Sequence, residues 1–328
     1  MFFKKSLPNN SKKAVFVIAA PRSGTTWLSK VLNAHPELYC TENRLFGNYA
    51  DFIQDDAVAE PRLRVTLDKY INSISLHTNS SDLGLSRQKF QKQLTGVLIE
   101  SLFDFYNKKS GNKQVIDKIT PYVGTSELVD IQLKQYFTRS KLVYLLRDGR
   151  DVCTSGVFHW LKKRQAEQEY SESALRRRDF FLSKTSCDSS MERFFTDAEL
   201  EEWAQTWAQP LRTFYVNRNK KPHLVRYEDM LSNMEAVLSA LFKFLDVSYT
   251  NEITQKCINA GDFKQMSGRD KGQAKPGAHV RKGISGDWRN YFTQRDGEIF
   301  NQITDNLLFE LGYETNHRWF QRLPKTLN

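Results

Sequence analysis

Short apolar runs alternate with helix-like segments along the chain. Residues 14–20 (AVFVIAA) form an unbroken apolar run, which is typical of a parallel strand buried on both faces. Residues 25–34 then have the pattern of a helix. Further strands are predicted at 114–117, 141–147 and 223–226, each followed by helix-like sequence. This alternation predicts a single α/β domain with a central parallel β-sheet flanked by helices.

Two segments carry an apolar stripe at helical spacing. In residues 234–245 the apolar side chains fall on one face with a period of 3.6 residues, which predicts a helix that packs against the sheet. A second stripe runs from Leu200 to Phe214 and includes Trp203 and Trp207. We interpret this second stripe as core rather than as a surface that stacks on a ligand.

Charged and weakly patterned segments set the expected domain limits. Residues 161–197 are polar and highly charged, so we interpret them as an insertion into a domain that covers residues 14–314. Residues 1–13 and 315–328 are then terminal extensions. The chain contains neither an internal repeat nor a linker that would divide this domain.

Composition and charge narrow the class of protein. The chain has 328 residues, of which 40% are apolar, enough for a sizeable core. Its apolar runs are far shorter than the roughly 18 residues that span a bilayer, and its first residues lack the apolar region of a signal peptide, so we expect a cytoplasmic protein without a membrane partner. Four cysteines without paired spacing argue against a disulfide framework or a zinc cluster. The net charge of +10 favours an anionic partner, a class that includes nucleic acids, acidic glycans and nucleotides.

Residues 21–27 (PRSGTTW) join the first predicted strand to the first predicted helix. Such a junction directs unpaired backbone N–H groups and the positive end of the helix dipole at one point, which makes an anion site. Gly24 lets the backbone close around an oxyanion, and Thr25 and Thr26 add hydroxyl donors. Arg22 adds a charge-assisted contact, so the segment is predicted to bind phosphate.

A nucleoside-triphosphate P-loop is the competing interpretation of this junction. It requires a lysine directly after its second glycine, where this chain has Thr25. Arg22 lies instead two positions before Gly24, which fits phosphate but not Mg-dependent triphosphate chemistry. A Mg-dependent P-loop kinase or NTPase stays the first alternative function. A basic nucleic-acid-binding protein, suggested only by the charge, is the second.

Two further basic segments have the character of phosphate sites. Residues 147–152 (RDGRDV) follow a predicted strand and precede a predicted helix that carries Ser155. Residues 281–288 (RKGISGDW) form a basic loop that contains glycine and precedes another helix. Three separate segments of the chain therefore have features suited to anionic groups.

The three segments together resemble the sulfotransferases that use 3′-phosphoadenosine 5′-phosphosulfate (PAPS). PRSGTTWL resembles their 5′-phosphosulfate loop, RDGRDV with its later serine resembles their 3′-phosphate element, and RKGISGDWRNYFT resembles their C-terminal signature. The resemblance implies a fold like that of the P-loop NTPases. It also implies in-line transfer of a sulfuryl group from PAPS to a hydroxyl, less favourably an amine, of an unidentified small-molecule or glycan acceptor. The product would be 3′-phosphoadenosine 5′-phosphate (PAP), and no nucleic-acid partner is expected.

The resemblance assigns roles to named residues of the cofactor site. The residues expected to bind PAPS are Arg22, Ser23, Gly24, Thr25 and Thr26 at the 5′-phosphate, Trp27 and Phe263 at the adenine, and Arg147, Ser155, Arg281, Lys282 and Gly283 at the 3′-phosphate. The six histidines show no metal-ligand spacing, and in-line transfer can proceed by charge neutralisation alone, so we predict a metal-independent reaction.

The general base is expected to differ from that of the small-molecule sulfotransferases, which carry a catalytic histidine in a K-T-H element. The segment DKITPY resembles instead the E-K-[ST]-P element of glycan and bacterial sulfotransferases. This implies Asp117 as general base, with Lys118 and Arg22 stabilising the transferred group. Asp117 as a strand-end cap paired with Lys118 is the structural alternative. Glu42 is the second candidate base, because residues 34–44 also resemble tyrosylprotein sulfotransferases.

Overall fold

The computed structural model describes most of the domain expected from the sequence. The described residues are 14–41, 73, 86–121, 123–137, 140–163, 172–183, 193–270, 272–273 and 282–327.

Five parallel strands form the sheet that the structure describes, in the order β2-β3-β1-β4-β5. The strands are β1 (Val15–Ile18), β2 (Leu38–Thr41), β3 (Gln114–Ile119), β4 (Lys141–Leu146) and β5 (His223–Arg226). β1 is the central strand and is completely buried, as its unbroken apolar run predicts. The predicted parallel α/β architecture is confirmed, and β2 is an additional strand that the sequence pattern did not reveal.

Helices connect the strands and cover both faces of the sheet. They are α1 (Thr25–Asn33), α2 (Arg87–Lys109), α3 (Ser126–Tyr136), α4 (Gly149–Lys163), α5 (Glu172–Ser183), α6 (Asp197–Leu211), α7 (Tyr227–Ser232), α8 (Met234–Leu245), α9 (Asn251–Ala260), α10 (Phe263–Ser267), α11 (Gln294–Thr304) and α12 (Leu307–Glu310). A π-helix (Arg212–Val216) follows α6, and 3₁₀ turns lie at Asp287–Asn290 and Trp319–Arg322. Among the described helices, none combines the length and the apolar character needed to cross a membrane.

Two hydrophobic cores lie on opposite faces of the sheet, because successive side chains of a strand alternate between its faces. Phe16 and Ile18 belong to the larger core, where Trp203 and Trp207 of α6 are also buried. The interpretation of these tryptophans as core is therefore confirmed. The smaller core contains Val15 and Val17 with buried side chains of α1 and of α8, whose predicted bounds are also confirmed.

Part of the segment interpreted as a charged insertion has regular structure. α5 lies within it, and Phe194 and Phe195 near its end are buried in the larger core. Arg177 of α5 donates two hydrogen bonds to the Glu199 carboxylate of α6, at 2.6 and 2.7 Å. These contacts attach the described part of residues 161–197 to the domain, and the domain limits themselves stay a prediction.

The strand order defines where a ligand is expected to bind. β1 leads through α1 to β2 on one side of the sheet, whereas β4 leads to β5 on the other side. In open α/β sheets a crevice forms at the carboxyl ends of the two strands where the order reverses. Residues 21–27 follow β1 and residues 147–152 follow β4, so two of the three basic segments meet at this crevice.

Candidate nucleotide site

The loop after β1 is formed by two residues with left-handed backbone. Arg22 has φ of 69° and Gly24 has φ of 97°, and α1 begins directly afterwards at Thr25. A Cβ atom on Gly24 would lie 2.7 Å from Cδ2 of Tyr227, closer than side-chain atoms approach one another. Glycine is therefore required here both by the backbone angle and by the ring packed against it. The result is a fixed loop at the amino end of α1, which favours an anion.

A cleft that is partly open to solvent lies at this loop. The residues of the expected cofactor set that line it are Arg22, Gly24, Thr25, Thr26, Trp27, Arg147, Ser155, Phe263, Lys282 and Gly283. All three basic segments thus contribute to a single cleft.

Arg147 connects the first basic segment with the third. Its Nη1 donates to the backbone oxygen of Arg22 at 3.0 Å, and its Nη2 donates to that of Ile284 at 3.3 Å. Its guanidinium carbon lies 4.3 Å from the centroid of the Tyr227 ring, a distance suited to a cation–π contact. These contacts hold the guanidinium beside the cleft in one orientation.

The charge of Arg147 is maintained in a buried position. Burial alone would lower its pKa, but the Tyr227 hydroxyl and the carboxylates of Asp151, Glu228 and Asp148 together raise the pKa above the ordinary arginine value. The site therefore presents a permanent positive charge at the edge of the cleft.

Aromatic rings form another wall of the cleft. The Trp27 indole Nε1 donates to the backbone oxygen of Gly261 at 2.7 Å, and its ring meets that of Tyr227 edge to face at 5.3 Å between centroids. Phe263 is buried, and a Cβ atom on Gly283 would lie 2.3 Å from its ring. Gly283, with φ of 66°, therefore lets the loop after residue 281 pass directly over Phe263.

Two buried polar atoms near the cleft have no hydrogen-bond partner among the described residues. They are Oγ of Ser23 and Nε of Arg147. Most buried polar atoms of folded proteins have a hydrogen-bond partner. Two such atoms without a partner, each in a phosphate-type segment, therefore fit a ligand that supplies acceptor oxygens. Ser23 itself is not among the residues that line the cleft, although its neighbours Arg22 and Gly24 are.

Asp117 and Lys118 are not among the residues that line the cleft. Both are in β3, where Asp117 pairs with Phe16 and Lys118 pairs with Val17, so their side chains project from opposite faces of the sheet. Asp117 is 0% exposed, and its Oδ1 accepts a hydrogen bond from the Thr41 hydroxyl at 2.9 Å. Lys118 is also buried.

Two residues of the expected site lie outside the described residues. They are Glu42, the second candidate base, and Arg281, the first residue of the C-terminal basic segment. Their expected roles stay predictions.

Part of the cleft wall lies outside the residues expected from the sequence. The additional lining residues are Tyr227, Leu231, Gly261, Met266 and Ile284. Tyr227 both contacts the loop at Gly24 and faces the cleft. An aromatic residue directly after a predicted parallel strand was the available signal, because such positions lie at the ligand-binding edge of the sheet.

The part of the chain that the structure describes contains no group of three or more His, Cys, Asp or Glu side chains that could hold a metal ion. The metal-independent reaction expected from the sequence stays a prediction.

A parallel sheet with a phosphate-type loop after its central strand defines a P-loop-like α/β protein. Within that class the chain belongs to the sulfotransferase domain family, whose model matches residues 12–312. The family resemblance found in the three basic segments is thereby confirmed.

Curated relatives are similar over more than half of the chain. "Sulfotransferase 2A1" of Homo sapiens is 25% identical over 212 residues, which cover 58% of this chain and 65% of the human protein. "Sulfotransferase 1B1" of Canis lupus familiaris is 24% identical over 212 residues, which cover 60% of this chain and 64% of the canine protein. The match thus spans slightly less than two thirds of each relative.

Solved structures are also similar over most of the chain. A mouse sulfotransferase, SULT7A1, solved in complex with PAP, has a TM-score of 0.47 and 16% identity, and the match covers 94% of this chain and 88% of the other. The sulfotransferase domain from the curacin biosynthetic pathway has a TM-score of 0.46 and 19% identity, with 92% and 97% covered.

Proposed function

We propose that this protein is a PAPS-dependent sulfotransferase. It transfers the sulfuryl group of PAPS to a hydroxyl, less favourably an amine, of a small-molecule or glycan acceptor and releases PAP. One observation carries the proposal: residues from three basic segments line a single cleft, although the segments lie more than a hundred residues apart in the chain. The chain also belongs to the sulfotransferase domain family. A nucleotide with phosphates at two ends is the ligand that such a distribution of cations fits.

The proposed division of the cleft follows its chemistry. The loop of residues 22–26 would hold the 5′-phosphosulfate, because it combines a helix amino end with hydroxyl donors and a guanidinium. Arg147, Ser155 and the loop of residues 281–283 would hold the 3′-phosphate. Trp27 and Phe263 would contact the adenine, whose flat faces suit aromatic rings.

Asp117 remains our proposed general base, with Lys118 and Arg22 stabilising the oxygens of the transferred group. The hydrogen bond from Thr41 fixes one carboxylate oxygen of Asp117, which supports an oriented base. The complete burial of Asp117, by contrast, supports the structural alternative, in which this carboxylate is a strand-end cap. Glu42 directly follows Thr41 in the chain and is the second candidate.

Calorimetric titration of the purified protein with PAP and with ATP, without added metal, tests the proposed donor. We expect PAP to bind more tightly than ATP. A preference for ATP that requires Mg²⁺ would favour the kinase or NTPase alternative. Salt-sensitive binding of DNA without binding of PAP would favour the nucleic-acid alternative.

Replacement of each candidate base by its amide tests the acceptor side. Asp117→Asn should abolish release of PAP from PAPS in the presence of a panel of phenols, alcohols and oligosaccharides, with PAP affinity nearly unchanged. Retained turnover in Asp117→Asn, together with loss in Glu42→Gln, would transfer the role of base to Glu42. The cytoplasmic location expected from the sequence stays a prediction.

A further inference from the structure

Asp151 binds the C-terminal basic segment although it does not itself line the cleft. It lies in the first turn of α4, and its side chain is 1% exposed. Its Oδ2 accepts from the backbone nitrogen of Gly286 at 2.7 Å, and its Oδ1 accepts from that of Trp288 at 3.0 Å. The Ser285 hydroxyl lies 3.5 Å from Oδ2. One buried carboxylate therefore holds three donors of one loop.

The same carboxylate faces Arg147, four residues earlier in the chain. Oδ2 of Asp151 lies 4.0 Å from Nη2 of Arg147, and that Nη2 donates to the backbone oxygen of Ile284. Arg147 thus binds the loop through a carbonyl oxygen, while Asp151 binds the next residues through their N–H groups. The two side chains together fix the course of residues 284–288.

This loop continues from the residues that reach the cleft. Lys282 and Gly283 line the cleft, and Ile284 follows them there. Lys282 is in turn held by Asp287, whose Oδ1 accepts from its ammonium group at 2.6 Å. A shift of the loop at Gly286 would therefore move Lys282 and would also release one donor of Arg147. Both changes fall on the proposed 3′-phosphate side of the cleft, whereas the bond from Nη1 of Arg147 to the loop after β1 does not involve residues 284–288.

We propose that Asp151 is a positioning residue for the second phosphate of the ligand. It orients Arg147 and the loop of residues 282–288 so that an adenosine 3′,5′-bisphosphate is preferred over a 5′-monophosphate. The inference rests on the proposed function, because it concerns the same nucleotide. Asp151 acts only through Arg147 and the loop.

Asparagine at position 151 tests this role with little change in volume. Its single carbonyl oxygen can accept from Gly286 or from Trp288, whereas its NH₂ group would face the other N–H donor. One buried N–H would lose its acceptor, and the negative charge beside Arg147 would disappear. The loop would no longer be held at both points.

Asp296 offers a matched control in the same chain. It too is a buried carboxylate that accepts a backbone N–H bond, from Thr293 at 2.7 Å, and it also pairs with an arginine, Arg193. It lies in α11 and does not line the cleft. Asp296→Asn therefore reproduces the loss of a buried, arginine-paired carboxylate without touching the loop.

The experiment compares the dissociation constants of PAP and of adenosine 5′-monophosphate for the wild type, Asp151→Asn and Asp296→Asn. We expect Asp151→Asn to weaken PAP binding about tenfold or more while monophosphate affinity changes much less. Asp296→Asn should keep the wild-type ratio of the two constants. An unchanged ratio of the two constants in Asp151→Asn would overturn the inference, whether both affinities stay at the wild-type value or both fall by the same factor. Failure of the wild type to bind PAP would instead overturn the proposed function, and this inference with it.

A second variant tests the loop side if Asp151→Asn does not fold. Gly286 has φ of 82°, and a Cβ atom there would meet only the flexible end of Arg289, at 2.7 Å. Gly286→Ala therefore strains the loop at the N–H bound by Asp151 while the carboxylate itself is kept. The same selective loss of PAP affinity is expected, and a wild-type ratio of the two constants in this variant would contradict the proposed role.

Discussion

The Nε atom of Arg22 donates a hydrogen bond to the hydroxyl oxygen of Ser155 at 3.3 Å, across 133 positions of the chain. The bond joins the loop after β1 to helix α4 after β4. Both residues line the cleft, so the two segments meet around one ligand position. Ser155 can therefore serve both as a donor to an anion and as a support for Arg22.

Ser155→Ala is expected to weaken PAP binding about tenfold, because a hydrogen bond to a charged group is lost and Arg22 loses its support. Isothermal titration measures the change. Thr154→Val is the matched control, since it removes a hydroxyl from the neighbouring residue of the same helix. That hydroxyl is bonded to the backbone oxygen of Arg150 and does not line the cleft. Equal losses in the two variants would show that the effect comes from α4 and not from the site.

The clearest strands could be predicted because they are short apolar runs that are largely buried on both faces. β1 and β4 are of this kind, and each is followed by a basic segment and a helix. β2 could not be predicted, because its sequence, LYCT, has neither a long apolar run nor a clear alternation. Its assignment depends on pairing with β3, which follows more than seventy residues later.

The cofactor residues could be predicted where backbone geometry and charge are encoded locally. Gly24 and Arg22 belong to one short motif, and their contribution to the cleft follows from that motif. The place of Tyr227 depends on its contact with Gly24, which joins residues far apart in the chain. Strand alternation could have indicated that neighbours such as Asp117 and Lys118 occupy opposite faces of β3, but a short motif alone does not reveal this.

Gly24→Ala is expected to reduce PAP affinity strongly, because the new Cβ would collide with the Tyr227 ring and the backbone would be held at φ of 97°. Gly111→Ala is the control, since Gly111 also has positive φ, 72°, but no atom lies within 4 Å of its added Cβ. The control should lose about 1–2 kcal/mol of unfolding free energy and no affinity. Urea unfolding and PAP titration of both variants separate strain from collision. Wild-type affinity in Gly24→Ala would show that the ring moves aside without consequence.

Arg150 is predicted to be essential for stability and not for ligand contact. It pairs with both Asp148 and Glu314, and its guanidinium carbon lies 3.8 Å from the ring centroid of Trp288 and 4.6 Å from that of Trp319. Arg150→Met should lower the unfolding free energy by about 3–5 kcal/mol, because two carboxylates lose their buried partner. The measurement is the urea unfolding curve.

Arg322 provides the matched control for Arg150, because it pairs with the same Glu314 but is 67% exposed. Arg322→Met should cost no more than about 1 kcal/mol, since exposed ion pairs contribute little. Similar losses in the two variants would mean that burial does not determine the contribution of these pairs.

His223 is expected to make stability depend on pH below neutrality. Its ring begins β5 and stacks on Phe244 at 4.8 Å between centroids, and burial lowers its pKa from the ordinary value of 6.5. Because the folded protein disfavours the protonated ring, this contribution to stability is complete above pH 6.5 and is lost as the pH falls from 6.5 through the lowered pKa.

His223→Phe keeps an aromatic ring at the stack and removes the titrating group. Thermal unfolding from pH 8 to pH 5 should therefore show a smaller loss of melting temperature in the variant than in the wild type. Comparison at pH 8, where the ring is neutral in both folded and unfolded chains, isolates the effect of packing. Parallel curves for the two proteins over the whole range would show that His223 does not contribute to acid destabilisation.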